Sequence, residues 1–301
     1  MLHTSTMPNA GARSSRYESV EVKRLANSDA AEVLQFLAQR PIHTVAMMSL
    51  INDNGIVSPF NRGTFYGCRD LKGQLEGVAL VGHATLMETV SDRALAALAL
   101  VARNCPNTHM IMGEKDRVAD FWSHYSQTGR TQRLACREWL FELNWPIEAR
   151  ERVSGLRPAT PAELDLVMPI QAELAFAESG VNPMLIDPEG FRQRCLRRIE
   201  QGRTWVAVVN GCLIFKADVI SKTSEVIYLE GIWVREDRRE QNAGTRFMSE
   251  LMRRLLEDTK SICLLVNETN ESAQGFYRKC GFNFRATYET IFLPRKEHTQ
   301  N

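Results

Sequence analysis

The stretch "VREDRREQNAGTRF" (residues 234–247) decides how the rest of the chain is interpreted. It follows an alternating apolar run, "EVIYLEGIWV" (225–234), which predicts a central β-strand. It leads into a helix pattern whose apolar face comprises Phe247, Met248, Leu251, Met252, Leu255 and Leu256. A strand, a tight turn and a helix N-terminus present backbone N–H groups and the positive end of the helix dipole to an anion. Because the charges of the turn nearly cancel, the backbone would do much of the binding.

The turn itself reads Arg-Glu-Gln-Asn-Ala-Gly over residues 239–244. It matches neither the GxxxxGK[ST] of a P-loop nor the GxGxxG of a dinucleotide fold. Arg239 can add guanidinium donors to an anion that the backbone holds. The turn resembles the Arg/Gln-x-x-Gly-x-Gly/Ala signature of the GNAT acetyltransferase superfamily, which binds the pyrophosphate of acetyl-CoA. Asn242 replaces the first glycine, but Asn enters the left-handed backbone region more readily than other non-glycine residues, so we expect the turn to form.

A second segment, "LLVNETNESAQGFYRKCGF" (264–282), resembles the other GNAT hallmark: a strand, an Asn, a helix bearing Ala and Tyr, and then Gly-Phe. The resemblance covers about residues 155–293. It implies that Asn267 and Asn270 lie at the splayed end of the strand, near the cofactor. It also implies that Ala273 lets the cofactor approach the helix closely.

The resemblance implies direct transfer of an acetyl group from acetyl-CoA to a primary amine, within a ternary complex. This reaction needs a base for the ammonium, N–H donors for the oxyanion and an acid for the leaving thiolate. Tyr277 is at the position of the superfamily's usual acid, and a phenol with a pKa of about 10 can protonate a thiolate. The cofactor-binding residues that the resemblance implies, the first three through backbone groups, are Ile232, Trp233, Val234, Arg239, Glu240, Gln241, Asn242, Ala243, Gly244, Thr245, Asn267, Asn270 and Ala273.

Glu230 is the candidate base, since it lies on the same strand face as Ile232 and Val234 and toward the end of the cleft. Some GNAT proteins carry a Glu five residues before the motif Asn, but here that position is Leu265. In GNAT proteins the region that corresponds to "AFAESGVNP" (175–183) lines the acceptor site. Glu178 is therefore a candidate for binding the substrate amine.

Each candidate also has a purely structural interpretation. Tyr277 can be a half-buried helix tyrosine, and Glu230 can pair with an arginine such as Arg203 across the sheet. Trp233 can belong to the core rather than to the wall of the acceptor pocket. Glu178 can be an exposed loop carboxylate, which is the commoner case.

The chain contains two similar halves. Residues 24–33 and 157–166 have the same pattern: a short strand, then a polar cap, then an amphipathic helix. In the second copy, Thr160 and Glu163 predict a capping box. Strands and helices then alternate in the same order in both halves, which predicts an α+β fold with a mixed sheet, built twice. The first half lacks the Arg-x-x-Gly-x-Gly turn and carries Ser123 where the second carries Tyr277. It resembles a degenerate GNAT-like lobe, and we hypothesise that it still shapes the acceptor pocket.

The predicted organisation is a disordered tail (1–18), a degenerate GNAT-like lobe (19–145), a linker (146–155), a catalytic GNAT domain (156–294) and a tail (295–301). Hydrophobic residues make up 44% of the 301 residues and the net charge is +1, which indicates a globular protein without a basic field for nucleic acid or membranes. The histidines and cysteines form no metal-ligand pattern, so no metal is expected. The absence of a signal-peptide pattern or a membrane-spanning stretch favours the cytoplasm.

The sequence therefore predicts a tandem GNAT-like fold whose C-terminal lobe transfers acetyl groups from acetyl-CoA to a small-molecule amine or a protein amine. The alternative is a non-catalytic acetyl-CoA-binding sensor, which would need Arg239, Gly244 and Asn270 but not Glu230 or Tyr277. A structural interaction protein without a cofactor would require both motifs to match by chance. The sequence leaves the oligomeric state and the identity of the acceptor open.

Overall fold

The computed structural model describes residues 20–147, 152–239 and 242–294, except for the side chain of residue 128. These residues form twelve strands and ten helices. The strands are β1 (Glu21–Arg24), β2 (Gly63–Arg69), β3 (Leu75–Gly82), β4 (Ala84–Thr89), β5 (Met110–Glu114), β6 (Leu134–Asn144), β7 (Leu156–Pro158), β8 (Thr204–Val209), β9 (Cys212–Lys222), β10 (Val226–Val234), β11 (Ser261–Asn267) and β12 (Asn283–Phe292). The helices are α1 (Ala30–Leu37), α2 (Pro41–Asn54), α3 (Asp92–Arg103), α4 (Lys115–Tyr125), α5 (Leu164–Ser179), α6 (Pro183–Ile186), α7 (Pro188–Glu200), α8 (Glu236–Arg239), α9 (Ala243–Leu255) and α10 (Glu271–Lys279).

Several predictions fall on residues outside this description. They are the two tails, part of the linker, and the turn residues Glu240 and Gln241. Their proposed roles stay predictions from the sequence.

All described strands belong to one sheet in the order β1-β2-β3-β4-β5-β12-β6-β11-β10-β9-β8-β7. The last strand of each half lies beyond the last strand of the other, so the two halves interlock. β6, from the first half, pairs antiparallel with β11, and Glu138 lies opposite Asn267. β12, from the second half, pairs with β5 on one side and with β6 on the other. A strand of the N-terminal half therefore forms part of the sheet around the C-terminal cleft.

Helices cover both faces of the C-terminal part of the sheet. The apolar face of α9 packs together with α10 against β9, β10, β11 and β6, as the helix pattern predicted. On the opposite face, Val45 of α2 packs beside Tyr228 and Cys263. This helix belongs to the N-terminal half, and its Ser49 hydroxyl accepts a 3.0 Å hydrogen bond from the N–H of Lys222. The two halves therefore share an apolar core as well as a sheet.

The predicted capping box before α5 is confirmed. The Glu163 carboxylate accepts hydrogen bonds from the N–H of Thr160 at 2.8 Å and from Arg157 at 2.7 and 2.8 Å. The hydrogen bonds from Arg157, assisted by the groups of Thr160, hold the pKa of Glu163 at about 2. A lowered pKa means that this carboxylate stabilises the fold above its unfolded-state pKa and that the contribution is lost as the pH falls toward 2.

We expect Glu163→Gln to lower the free energy of unfolding by about 1–2 kcal/mol at pH 7, because the cap and the ion pair are both weakened. Chemical denaturation at several pH values measures this difference, which should shrink as the pH falls below about 4.5. The exposed Glu173 of α5 provides the matched control, Glu173→Gln. An equal effect of both substitutions, or a difference independent of pH, would contradict the assignment.

Candidate active site

The cleft of the C-terminal half lies where β10 and β11 diverge. The two strands pair in parallel only from Val226 opposite Ser261 to Leu229 opposite Leu264. Beyond these pairs, β10 continues to Val234 on its own edge of the opening. A register shift between Glu230 and Trp233, with Gly231 at φ 59°, marks a bulge at the start of the splay. A Cβ at Gly231 would lie 2.8 Å from the Lys216 ammonium, so only glycine fits there.

Beyond the bulge, the backbone N–H and C=O groups of β10 point alternately toward β9 and into the opening. The N–H of Arg235 donates to Ile214 of β9 at 2.9 Å. Because backbone groups alternate sides along a strand, those of the preceding Val234 point away from β9, into the opening. The Val234 carbonyl accepts a 3.0 Å hydrogen bond from Arg239 Nε. One predicted cofactor arginine is thus fixed to the strand end that leads into the turn.

The turn before α9 has the predicted left-handed conformation. Asn242 has φ 54° and ψ 15°, the left-handed conformation that was expected of it. Its side chain does not cap α9; instead, its Oδ1 accepts a 2.8 Å hydrogen bond from Lys279 Nζ. A Cβ at Gly244 would lie 3.0 Å from Val234 and 3.3 Å from Phe276, so glycine permits close packing here. Within the described residues, the first N–H groups of α9 therefore have no side-chain cap.

The asparagines predicted to lie near the cofactor also shape the entry to α10. Asn270 caps the helix by accepting a 3.0 Å hydrogen bond from the N–H of Ala273. Asn267, at the end of β11, accepts hydrogen bonds from the N–H and the hydroxyl of Thr269. Gly281 has φ 95° just after the helix, as expected of a helix stop. These bonds fix the loop at the splayed end of β11.

Tyr277 lies on the inner face of α10, and its ring packs edge-on against Phe276 and Phe282. The residue is 9% exposed. Burial raises the pKa of its hydroxyl above the ordinary value of a phenol, and Cys280 contributes in the same direction. The hydroxyl therefore carries its proton near neutral pH, as an acid must before it acts.

Glu230 lies at the bulge and is partly buried. Its Oε1 accepts a 2.7 Å hydrogen bond from the hydroxyl of Tyr228, two residues earlier on the same face. Burial raises the pKa of Glu230, although the hydrogen bond from Tyr228 opposes the rise. A carboxylate whose pKa is shifted toward neutrality is suited to removing a proton from an ammonium.

Two further carboxylates interact electrostatically with Glu230, and we call Glu138, Glu178 and Glu230 the carboxylate cluster. Burial and the charge of Glu230 raise the pKa of Glu138, which accepts a 2.7 Å hydrogen bond from Thr290. The pKa of Glu178 is also raised. The main cause is the partial desolvation of its carboxylate, and the charges of Glu230 and Glu138 act in the same direction. Its side chain keeps exposed area, so solvent screens part of this repulsion. Three carboxylates from β6, α5 and β10 thus interact through their charges, and Glu230 raises the pKa values of the other two.

A buried ion pair between Lys216 and Asp218 contacts the backbone of the bulge. Lys216 Nζ donates to Asp218 at 2.6 Å, to Gln171 at 2.7 Å and to the Gly231 carbonyl at 3.2 Å. Both charged residues are at most 1% exposed. All three ammonium protons have acceptors, which is what a buried lysine requires. This network fixes the backbone next to Glu230.

The alternative interpretations can now be compared with the contacts. Arg203 pairs with Asp53 at 2.7 Å rather than with Glu230. Trp233 is partly buried against the apolar cluster of α5 and α7, so it belongs at least in part to the core. Glu178 is exposed, yet it also joins the carboxylate cluster.

In the corresponding cleft of the N-terminal half, a side chain of that half lies directly between the diverging strands. β4 and β5 also diverge, but Arg40 fills the space by pairing with Glu88 at 3.2 Å and Glu114 at 2.7 Å. One cavity lined by these three side chains measures about 40 Å³, and a second, more open one that they also line measures about 690 Å³. At the helix that follows, the Ser91 hydroxyl caps the N–H of Ala94. An anion site is thus replaced by an ordinary helix cap.

Glu138 was missed at the sequence level. It lies in the strand "LACREWLFELN", where Cys136, Glu138 and Leu140 share one face. A charged residue on the apolar side of an alternating strand is a detectable signal. The local pattern cannot tell which strands flank it, so its proximity to Glu230 was not predictable.

Within the parts of the chain that the structure describes, no helix is long and apolar enough to cross a membrane. The same residues contain no group of three or more His, Cys, Asp or Glu side chains that could hold a metal ion.

Comparison with known proteins defines the class. Residues 172–282 match the sequence model of the family described as "Acetyltransferase (GNAT) family". This segment, which contains the splay, the turn and α10, is a GNAT acetyltransferase domain. The match indicates that this segment belongs to the class of GNAT acetyltransferases. No curated protein sequence matches the chain.

Solved structures show the same fold at low sequence identity. A GNAT-family acetyltransferase from Colwellia psychrerythraea aligns with a TM-score of 0.57 at 12% identity, covering 91% of this chain and all of that one. A Drosophila protein aligns with a TM-score of 0.64 at 10% identity, covering 91% of this chain and 99% of that one. A tandem GNAT protein from the clavulanic acid biosynthesis pathway aligns with a TM-score of 0.55 at 14% identity, covering 93% of this chain and 100% of that one. The predicted two-lobed GNAT fold is thereby confirmed.

Proposed function

We propose that the C-terminal half binds acetyl-CoA and transfers its acetyl group directly to a primary amine, while the N-terminal half is non-catalytic. The observation that carries this proposal is the uncapped N-terminus of α9, opened by the left-handed Asn242 beside the splay of β10 and β11. Such a helix end suits a pyrophosphate, and the splay suits the extended pantetheine arm. The residues Arg239, Asn242, Ala243, Gly244 and Thr245 would hold the phosphates.

In the proposed reaction, Glu230 accepts a proton from the substrate ammonium and leaves a neutral amine. The amine attacks the thioester carbonyl, whose developing oxyanion is stabilised by the backbone N–H groups of Ile232 and Val234, because that of Trp233 faces β9. As the carbon–sulfur bond breaks, Tyr277 donates its proton to the leaving thiolate. The nitrogen of the tetrahedral intermediate loses its second proton, which restores the Tyr277 hydroxyl, and Glu230 releases the first proton to solvent. Acetyl-CoA supplies the acyl group, and the chain supplies the base, the donors and the acid.

The N-terminal half contributes structure to this site in our proposal. Its strand β6 brings Glu138 to the cleft, and its helix α2 packs behind β10. Deleting residues 1–145 would remove β6 from between β11 and β12, so the role of this half is better tested by point variants. We retain the boundaries 19–145 and 156–294 as a proposed division of the chain. All seven cysteines are free thiols in the described part of the chain, which accords with a reducing cytoplasm.

The first test is calorimetric titration of acetyl-CoA into the wild type, Asn242→Gly and Asn242→Ala. Both substitutions remove the hydrogen bond from Lys279, so their difference isolates the backbone. Alanine in the left-handed region costs about 1–2 kcal/mol, and we expect it to bind about 5- to 30-fold more weakly than glycine.

Absence of acetyl-CoA binding to the wild type would overturn the proposal. Thiol release across a panel of amines then separates the transferase from a second candidate, a non-catalytic acetyl-CoA sensor. Tight binding without turnover on any amine would favour the sensor. The carboxylate cluster favours the enzyme, because a sensor has no use for a desolvated base.

A further inference from the structure

A large cavity lies on the acceptor side of the fold, apart from the turn of α9. It measures about 800 Å³, within the range of small-molecule sites. The C-terminal end of α5, the segment 181–187 and residues that precede β4 and β5 line it. Both halves of the chain contribute, so we call it the inter-half cavity.

The inter-half cavity is positively charged. Among its described lining residues, Arg62, Arg133 and Arg194 face a single acid, Asp187. Arg194 pairs with Asp187 at 2.9 Å. Arg133 donates to the Ser179 carbonyl, a neutral acceptor, at 2.9 Å. The guanidinium charges of Arg62 and Arg133 thus remain without a carboxylate of their own, in contrast to the acidic cleft nearby.

Arg62 has a fixed backbone and an exposed side chain that is not paired with any carboxylate that the structure describes. Its backbone has φ 52°, and its carbonyl accepts a 2.9 Å hydrogen bond from the N–H of His83. Its guanidinium donates no hydrogen bond to any residue that the structure describes. Burial, followed by the like charge of Arg194, lowers the pKa of Arg62, with Asp187 opposing. Two guanidinium groups close enough to repel each other are stabilised when an anion binds between them.

The cavity and the carboxylate cluster are connected by two elements. Arg133 immediately precedes β6 and lies five residues before Glu138, or about 16 Å in an extended chain. Between them Cys136 interacts electrostatically with Glu138, Glu178 and Arg133. On α5, Ser179 lines the cavity while the adjacent Glu178 belongs to the cluster. A single elongated molecule can therefore reach both regions.

We propose that the inter-half cavity binds an oxyanion group of the acceptor, a carboxylate or a phosphate, while the acceptor's amine lies at the carboxylate cluster. This inference rests on the proposed function, because only that function requires the bound molecule to carry an amine at the carboxylate cluster. It selects acceptors that carry an amine and an anionic group several bonds apart. Simple polyamines would leave the arginines without a partner.

The binding test uses inorganic pyrophosphate as the probe, titrated calorimetrically into protein saturated with CoA so that the turn of α9 is occupied. We compare the wild type, Arg62→Gln and Arg194→Gln with the control Arg192→Gln, which lies on the same helix as Arg194 but pairs with the exposed Asp165. Because each lost charge-assisted hydrogen bond weakens binding about 10- to 100-fold, affinity should fall in the first two variants and persist in the control. No binding to the wild type, or equal binding by all variants, would overturn the inference.

The kinetic test compares hexylamine, 6-aminohexanoate and 6-aminohexyl phosphate as acceptors. We expect kcat/KM to be about 10-fold or more higher for whichever anionic acceptor fits, and the advantage to disappear in Arg62→Gln through KM rather than kcat. Comparison of kcat/KM for 6-aminohexanoate and 6-aminohexyl phosphate identifies whether the cavity binds a carboxylate or a phosphate. Equal use of all three amines by the wild type would refute the acceptor subsite while leaving acetyl transfer intact. A failure to bind acetyl-CoA would instead remove the proposed function, and pyrophosphate binding would still report on the cavity.

Discussion

Tyr277→Phe is expected to lower kcat by about 10²- to 10⁴-fold, the usual contribution of a positioned general acid. The substitution removes only the hydroxyl, and the ring keeps its edge-on contacts with Phe276 and Phe282. Acetyl-CoA affinity and the free energy of unfolding should therefore change little. Burial raises the pKa of the Tyr277 hydroxyl, so the wild type should keep this acid protonated throughout the neutral range.

Stopped turnover with intact acetyl-CoA binding, measured by thiol release and calorimetry on the same samples, would support the role of Tyr277. The matched control is Tyr288→Phe, since Tyr288 is a similarly buried tyrosine of β12 whose hydroxyl contacts His43 at 2.8 Å in the N-terminal half. If kcat is unchanged in Tyr277→Phe, the phenol is structural and another donor protonates the thiolate.

Glu230→Gln is expected to lower kcat/KM by about 10²-fold or more, because the amide cannot accept the ammonium proton. Gln can still accept the hydrogen bond from Tyr228, so the fold should be preserved. The pH profile provides a sharper test. Burial raises the pKa of Glu230, and a base acts only when it is deprotonated, so wild-type kcat/KM should rise with pH through a value above the ordinary range of a carboxylic acid. This acidic limb should be absent in Glu230→Gln.

Glu178→Gln serves as the comparison, because Glu178 belongs to the same cluster but is more exposed. We expect it to raise KM for the amine and to leave the acidic limb in place. The opposite result, loss of the limb in Glu178→Gln and its retention in Glu230→Gln, would assign the base to Glu178. In that case Glu230 would orient the substrate.

The cleft of the N-terminal half, which we propose to be a non-catalytic GNAT-like lobe, differs from that of the C-terminal half in two respects. Arg40 occupies the space between the diverging strands and is fixed by two carboxylates, Glu88 and Glu114. Ser91 satisfies the helix N-terminus that would otherwise face an anion. In the C-terminal half, the equivalent helix end is preceded by Asn242, whose side chain turns away to Lys279. The two clefts thus differ in the residue at the cap position of the helix and in the arginine that lies between the strands.

The sequence by itself determined the local features of the fold and the conformation of Asn242 before α9. The alternating run predicted β10, the apolar stripe predicted the buried face of α9, and Asn242 has its expected left-handed conformation. These features depend on residues within a few positions of one another, and propensity, periodicity and steric limits on φ act at that range.

Only the tertiary structure decided which strands flank the cleft. β6 and β12 exchange places between the halves, and this brings Glu138 from the first half to Glu230 in the second. It likewise places Arg62 and Arg133 opposite Arg194 around one cavity. An alternating strand specifies which of its faces is buried but not which neighbour it pairs with, because backbone hydrogen bonds are the same for every partner. That choice depends on the packing of the whole sheet and its helices. The carboxylate cluster and the inter-half cavity therefore could not be predicted from local sequence patterns.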